Sequence, residues 1–259
     1  MTATAVRTTT DPQSVPAELR ARLDAERRAV TAELEAFDAF ADRIEAVPAR
    51  EPAPAGEVRG LDRGEGGTGL AAVRDAYEAT VMSVPHYDED YGDTYRESVV
   101  AEFGPEIGTA LTEGRRLQPY LKRVTVGKAR SCRRDRERFL ELLDVESESV
   151  ADVGSELGDF ESELEGFDAG APAAGAYGAL EAEWRRLDAI EGELDPLAAD
   201  SQRASIRQRR EFSIPSAPDV PTYLYHAFDA DYPLLSLCVT LRERVTQYKS
   251  ERERTFAGR

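Results

Sequence analysis

Lysine is nearly absent from this sequence. Of its 33 basic residues only three are lysine, at positions 122, 128 and 249, and the others are arginine. Aspartate and glutamate number 50, so the formal net charge is −17. Such a balance is typical of a cytosol of very high salt, where a Debye length of roughly 3 Å lets like charges lie close together. We therefore expect a cytoplasmic, salt-adapted protein, and the acidity alone predicts no partner.

Cysteine and long apolar runs are also scarce. Cys132 and Cys238 are the only cysteines, they match no metal-binding spacing, and we interpret them as reduced thiols. A redox pair is the open alternative. No run approaches 18 apolar residues, and residues 1–13 lack the apolar stretch of a signal peptide. The sequence therefore predicts neither a membrane span nor a membrane partner.

Motifs for catalysis or cofactor binding are missing. There is no GxxxxGK[ST], no GxGxxG after a strand, no GxSxG and no HExxH. Paired carboxylates are too common in this composition to indicate acid–base chemistry. We expect a protein that is not an enzyme and that carries no cofactor.

The N-terminal part divides into three segments. We predict a disordered tail over residues 1–13, a coiled-coil helix over residues 14–47, and a flexible linker over residues 48–68. The linker is rich in glycine and proline. The helix is predicted because apolar residues recur every seven positions. These residues are Leu23, Val30, Phe37 and Ile44.

The remainder, residues 69–259, is predicted to form a helical head and a long hairpin. Heptad repeats in residues 117–167 and 176–211 flank a short Gly/Ala/Pro loop, so the two helices are expected to fold back antiparallel. No stretch alternates like a strand. The predicted fold is all-α and elongated, either a coiled-coil hairpin or a three-helix bundle, in which residues 14–47 form the third strand of a single structural unit.

The head is expected to gather the short helices of residues 69–113 with the final helix over residues 221–255. Aromatic residues of both segments should be buried there. They are Tyr77, Tyr95, Phe103, Phe228 and Tyr232.

Two basic runs, at residues 122–138 and 203–210, should lie at the same level of the hairpin. We call them the basic collar. The collar either binds a polyanion, meaning nucleic acid or an acidic protein surface, or pairs with carboxylates of the same chain. Strong salt weakens phosphate contacts, which favours internal pairing. The candidate partner-binding residues are Arg130, Arg133, Arg134, Arg207, Arg209 and Arg210.

Gly154 and Gly158 lie four residues apart inside the predicted hairpin, and each costs about 1 kcal/mol of helix propensity relative to alanine. Glycine at this spacing allows another backbone to approach closely. The neighbour is either the first helix or a second copy of the chain, which would make a homo-oligomer. A weakly helical segment is the alternative.

Both histidines stand in similar acidic segments. A histidine with two carboxylates is a potential ligand set for a divalent metal. The alternative is that these segments are aromatic joints between helices, and we predict no metal site. The weak candidate ligands are His86, Asp88, Asp90, His226, Asp229 and Asp231.

The stretch Leu70–Gly108, LAAVRDAYEATVMSVPHYDEDYGDTYRESVVAEFGPEIG, resembles a family of haloarchaeal proteins of unknown function. Its most specific part is VMSVPHYDEDYGDTY with the following EFGP, and the likeness covers most of residues 15–255. The resemblance implies a halophilic source and a cytosolic compartment. It carries no functional residues over to this chain.

From these observations we predict a non-enzymatic scaffold or interaction protein that presents its hairpin or head to a protein partner. The alternative is a nucleic-acid-associated regulator that uses the basic collar.

Overall fold

The structure, a computed structural model, describes residues 14–49, 68–168, 177–211, 220–226, 228 and 230–257. Throughout these residues the chain is helical and forms no strand, which confirms the predicted all-α class. The helices are α1 Val15–Ala46, α2 Thr68–Glu78, α3 Tyr87–Asp90, α4 Tyr95–Phe103, α5 Pro105–Thr112, α6 Pro119–Asp168, α7 Tyr177–Glu211, α8 Val220–Tyr225 and α9 Pro233–Phe256, with a 3₁₀ turn at Val81–Ser83. The predicted tail, most of the linker and the loop between α6 and α7 lie outside the described residues.

Two compact units divide the chain. Residues 25–141 form one, which we call the central unit. Residues 1–24 and 142–259 form the other, which we call the terminal unit. The long helices α1 and α6 each contribute to both units.

The core of the central unit is aromatic. Tyr77 on α2 is fully buried, and its ring meets Phe40, Tyr95 and Phe103 edge-on at centroid distances of 5.0–5.7 Å. The Tyr77 hydroxyl shares a hydrogen bond of 2.9 Å with Ser98. Edge-to-face pairs of this kind add about 0.5–1.5 kcal/mol beyond the burial of area. The second half of the apolar stripe of α1, including Phe37, Phe40 and Ile44, therefore packs among the short helices and the first part of α6.

Gly104 joins two of these short helices. Its φ of +87° lies in the left-handed region that glycine adopts without strain. Pro105 follows as the first residue of α5, where the missing N–H costs nothing. This pair ends α4 and begins α5 in two residues.

The terminal unit has an aliphatic core. The heptad positions of α6 and α7 are buried, with less than 2% of each side chain exposed. They are Leu143, Val150, Leu157, Leu164, Leu180, Leu187, Ile190 and Leu194. The apolar face of α9 is buried as well, including Leu241 and Val245 at 0% exposure. These side chains follow the spacing expected of helices that pack side by side.

Ion pairs give the direction of α9. Three pairs join α9 to α7: Arg242–Asp195, Lys249–Asp188 and Arg252–Glu183. The residue numbers on α7 fall as those on α9 rise. The two helices therefore run antiparallel. Arg244 pairs with Glu161 on α6, and Arg252 donates to the Phe167 carbonyl further along the same helix. Hence α9 runs parallel to α6.

One of the two predicted close approaches involves the first helix. A Cβ at Gly154 would lie 2.9 Å from the Pro16 Cβ, and Arg20 donates a 3.1 Å hydrogen bond to the Ala151 carbonyl. The start of α1 thus packs directly on α6 at Gly154. At Gly158 no atom of the described residues comes within 4 Å of such a Cβ.

The predicted head needs one correction. We expected the final helix to join the short helices, but α9 belongs to the terminal unit and packs on α7. Phe228 and Tyr232 lie in the terminal unit with it, whereas Tyr77, Tyr95 and Phe103 belong to the central unit. The reason is electrostatic as well as apolar: the basic side chains of α9 match the carboxylates of α7.

Candidate functional site

Two collar arginines in the central unit pair with carboxylates. The Arg130 guanidinium lies 2.7 Å from Glu45 of α1. The Arg133 guanidinium lies 3.2 Å from Asp38 and 3.4 Å from Glu137. All these side chains are at least one-third exposed, so each pair contributes only about 0–1 kcal/mol. The positive charges of Arg130 and Arg133 are therefore compensated within the chain.

Arg136 is the best-connected of the collar residues. Its guanidinium lies 2.9 Å from a Glu33 oxygen and binds both oxygens of Glu102, at 2.6 and 3.1 Å. Its Cζ also lies over the Phe37 ring, 4.8 Å from the centroid. The side chains of Arg136, Glu33 and Glu102 are all about one-fifth exposed or less. Sequence reasoning counted Arg136 in the collar without recognising this role.

The remaining collar candidates fall into two groups. The Arg134 side chain is exposed and has no carboxylate partner among the described residues. Arg207, Arg209 and Arg210 lie in α7, but their side chains are outside the described residues. In the terminal unit, Arg203 pairs with Asp200.

His86 also belongs to the network around Glu33. Its Nε2 lies 3.0 Å from Glu33 Oε1, and the Tyr91 hydroxyl donates to the same oxygen at 2.7 Å. Burial alone would raise the pKa of Glu33, but Arg136 and the hydrogen bonds from His86 and Tyr91 outweigh it and hold that pKa below its ordinary value. Asp88 and Asp90 are exposed on α3. His86 therefore contacts the Glu33 carboxylate, which also pairs with Arg136.

His226 lies in the terminal unit. Its Nδ1 is 2.7 Å from the Tyr223 carbonyl oxygen and 3.2 Å from Arg22 Nη2. Asp231 is exposed, and Asp229 is outside the described residues. Within the described part of the chain, no three His, Cys, Asp or Glu side chains are grouped so that they could hold a metal ion.

Both cysteines are buried free thiols. Burial raises the pKa of Cys132 to about 12 and that of Cys238 to about 11. A thiol of that kind is protonated at neutral pH and is a poor nucleophile. Cys132 instead donates a weak hydrogen bond to the Glu102 carbonyl at 3.6 Å.

A basic stripe on α9 was missed at the sequence level. Lys249 binds Asp188 at 2.7 Å and Glu191 at 2.9 Å, and its ammonium lies 4.6 Å from the centre of the Trp184 ring. The Trp184 indole donates in turn to Glu253 of α9. Asp188 and Glu191 of α7 therefore have their complementary charge on α9. The signal in the sequence was the set of five basic residues in α9. Four of them fall on one half of the helix surface: Arg242, Arg244, Lys249 and Arg252.

The architecture and these charge networks define the chain as an all-helical protein with buried and half-exposed ion pairs. The model of the family described as a domain of unknown function, DUF7260, matches residues 15–249, and the chain belongs to that family. No curated protein and no solved structure matches the chain. In the described part of the chain, no helix is both long enough and apolar enough to cross a membrane.

Proposed function

We propose that this chain is a non-enzymatic scaffold that docks a protein partner on an acidic face of α6 in the terminal unit. The site residues are defined by helical spacing of three and four. They are Val145, Glu148, Asp152, Glu156 and Asp159.

The observation that carries the proposal is the lack of internal neutralisation on this face. All five side chains are exposed, and the four acidic residues have no cation partner among the described residues. On α7, by contrast, four carboxylates each pair with a cation of α9: Glu183, Asp188, Glu191 and Asp195. Val145 is 48% exposed on the same face, which adds an apolar contact point. Such a face fits a partner that presents a basic stripe with an apolar residue.

For the architecture we propose the antiparallel coiled-coil hairpin of α6 and α7, with α9 as the third strand of a bundle. Support comes from α9, which runs parallel to α6 and antiparallel to α7. The pair Arg186–Glu163 links α7 directly to α6. A rigid bundle holds the acidic face as one continuous surface.

For the setting we propose the cytoplasm of a salt-accumulating archaeon. Support comes from the composition, with three lysines and a net charge of −17. In such a cytosol long-range attraction is screened, so a partner must make close contacts along the whole face.

The test is cross-linking and mass spectrometry of the full chain purified in its native salt. Reversing Glu148, Asp152 and Glu156 to lysine should abolish the specific cross-links to the partner. The matched control reverses three exposed acidic residues of the central unit, Glu89, Asp90 and Glu106, and should leave the cross-links unchanged. Equal loss in both variants would reduce the effect to overall charge and contradict the docking face.

The same protein preparations distinguish this docking proposal from the alternative of a nucleic-acid-associated regulator. Pairing of Arg130 and Arg133 with carboxylates of the chain weighs against it. Retention on DNA in molar salt, lost when Arg133 and Arg134 are changed to serine, would favour the regulator instead.

A further inference from the structure

The first half of α6 exposes a face whose charge is opposite to that of the acidic face. Its residues follow a helical spacing of three and four, and every one of them is exposed. We call it the basic face, and its residues are Tyr120, Arg123, Gly127, Arg130 and Arg134. Tyr120 is 68% exposed and supplies an apolar contact. The basic face is therefore a basic stripe with an apolar residue, the kind of surface that the acidic face fits.

The three arginines of the basic face are available to a partner. Arg123 and Arg134 have no carboxylate partner among the described residues. Arg130 pairs with Glu45, but both side chains are about half exposed, so this pair is weak and exchanges readily. A Cβ at Gly127 would meet no described atom within 4 Å, so the described part of the chain leaves the middle of the face open.

The helical period places the basic and acidic faces on the same side of α6, which is a single helix of 50 residues. About 18 residues make five whole turns of a helix. Arg123 precedes Glu141 by that number of residues and Asp159 follows Glu141 by the same number, so the three side chains leave the helix in the same direction. Two faces that point the same way from one helix cannot pair with each other. Their opposite charges can meet only between two chains.

The charges of this side are arranged symmetrically about Glu141. At seven, eleven and eighteen residues from it, an arginine in one direction corresponds to a carboxylate in the other. The pairs are Arg134 with Glu148, Arg130 with Asp152, and Arg123 with Asp159. Two α6 helices that cross antiparallel at Glu141 therefore bring each arginine opposite a carboxylate of the other copy. A two-fold contact makes every such pair twice.

The centre of this contact brings two Glu141 side chains close together, and like charges repel. Arg138 lies one turn before Glu141, and its side chain is 66% exposed with only a 3.7 Å pair to Asp135. In the antiparallel arrangement, Arg138 of each copy lies within about one turn of Glu141 of the other. The two central carboxylates are therefore flanked by two guanidinium groups.

We propose that the docking partner of the acidic face is a second copy of this chain, which binds through its basic face in a two-fold antiparallel contact of the α6 helices. This inference rests on the proposed function, because it names the protein that the acidic face docks. The match in spacing and charge favours a second copy over an unrelated basic protein. Since exposed ion pairs are individually weak, the expected dissociation constant is about 10 μM or weaker.

Analytical ultracentrifugation of the full chain at fixed salt, up to about 500 μM protein, tests the inference well above that dissociation constant. We expect a monomer–dimer equilibrium. A chain that stays monomeric would overturn the inference, and so would species larger than a dimer, because a two-fold contact is closed. If a monomeric chain still gave acidic-face cross-links to another protein, the proposed function would stand and only the second copy would be refuted.

Charge reversal locates the contact. One variant reverses the basic face with Arg123→Glu, Arg130→Glu and Arg134→Glu, and the other reverses the acidic face with Glu148→Lys, Asp152→Lys and Asp159→Lys. Each variant alone should dimerise at least about tenfold more weakly, because like charges then face each other. An equimolar mixture of the two should restore the dimer, since every pair again joins opposite charges. A mixture that stays monomeric would refute the pairing.

The matched control reverses three exposed arginines of the central unit outside α6: Arg96, Arg115 and Arg116. Its dimerisation should match that of the wild type, and equal weakening in the control would reduce the effect to overall charge and contradict the contact. Circular dichroism checks that each variant is folded. The chain with both faces reversed should dimerise like the wild type, which a loss of folding would not allow.

Discussion

The central unit and the terminal unit use the same abundant residue, arginine, in different environments. In the central unit Arg136 is mostly buried between Glu33 and Glu102 and against the Phe37 ring. In the terminal unit, the cations of α9 range from Arg252, buried against Glu183, to Arg242, which is 55% exposed beside Asp195. A buried cation is costly to leave without partners, whereas an exposed pair exchanges readily with water and salt. We therefore expect the loss of Arg136 to matter far more than the loss of an exposed cation such as Arg242.

The largest loss of stability should come from removing Arg136, because two buried carboxylates then lack their shared cation. Arg136→Met leaves Glu33 and Glu102 without their shared cation, and the free energy of unfolding should fall by about 3–5 kcal/mol. Urea unfolding at fixed salt measures it. The control is Arg133→Met, which removes a neighbouring, more exposed arginine and should cost about 1 kcal/mol or less. Equal losses would erase the contrast between buried and exposed arginine.

Acid titration examines the same network through Glu33. The folded-state pKa of this carboxyl is lowered, so its ionised form stabilises the fold at neutral pH. That contribution should be lost as the pH falls below the ordinary value of 4.5 and through the lower folded-state pKa. Unfolding followed from pH 7 downward should show the loss, and Glu33→Gln should reduce it.

Glu35→Gln on the same helix serves as the control, because Glu35 is exposed. A wild-type acid dependence retained in Glu33→Gln would exclude Glu33 as its source.

The two glycines of α6 allow a comparison within the terminal unit. Gly154→Ala places a methyl group 2.9 Å from the rigid Pro16 ring and should cost about 1–3 kcal/mol. Gly158→Ala meets no described atom and should stabilise the helix by about 1 kcal/mol. Thermal unfolding measures both changes. Stabilisation by both would mean that α1 does not pack closely at Gly154.

The smallest effects are expected at two cations of α9 whose carboxylate partners are exposed. The partners of Lys249, Asp188 and Glu191, are 56% and 28% exposed, so Lys249→Met should cost about 1 kcal/mol. Arg242 is 55% exposed, and Arg242→Ser should change stability by about 0.5 kcal/mol or less. Urea unfolding in low and high salt compares them. A loss from either change above that of Arg136→Met would contradict the contrast between the Arg136 network and these pairs of α9.

Part of this structure was predictable because it depends on local periodicity. The seven-residue spacing of Leu143, Val150, Leu157 and Leu164 predicts a buried helix face, and all four are buried. Gly104–Pro105 likewise predicts a break between helices and forms one. Local chemistry determines such features within one or two turns of the chain.

The candidate sites were harder to predict, because they depend on pairs far apart in sequence. The basic run at residues 122–138 does not indicate that Arg136 faces Glu33, 103 residues away. Heptads in α6 and α7 do not indicate that α9 supplies the charges matching α7.

The sequence by itself determined the all-α class, the helices and their apolar faces, because helical periodicity needs only neighbours in the chain. It also determined the acidic, arginine-rich charge balance, which is a matter of composition. Only the tertiary structure decided which cations are buried, which carboxylates stay uncovered, and that α9 rather than a short helix packs on α7. Those choices depend on the summed burial and charge of whole faces, and such sums exist only once distant segments meet.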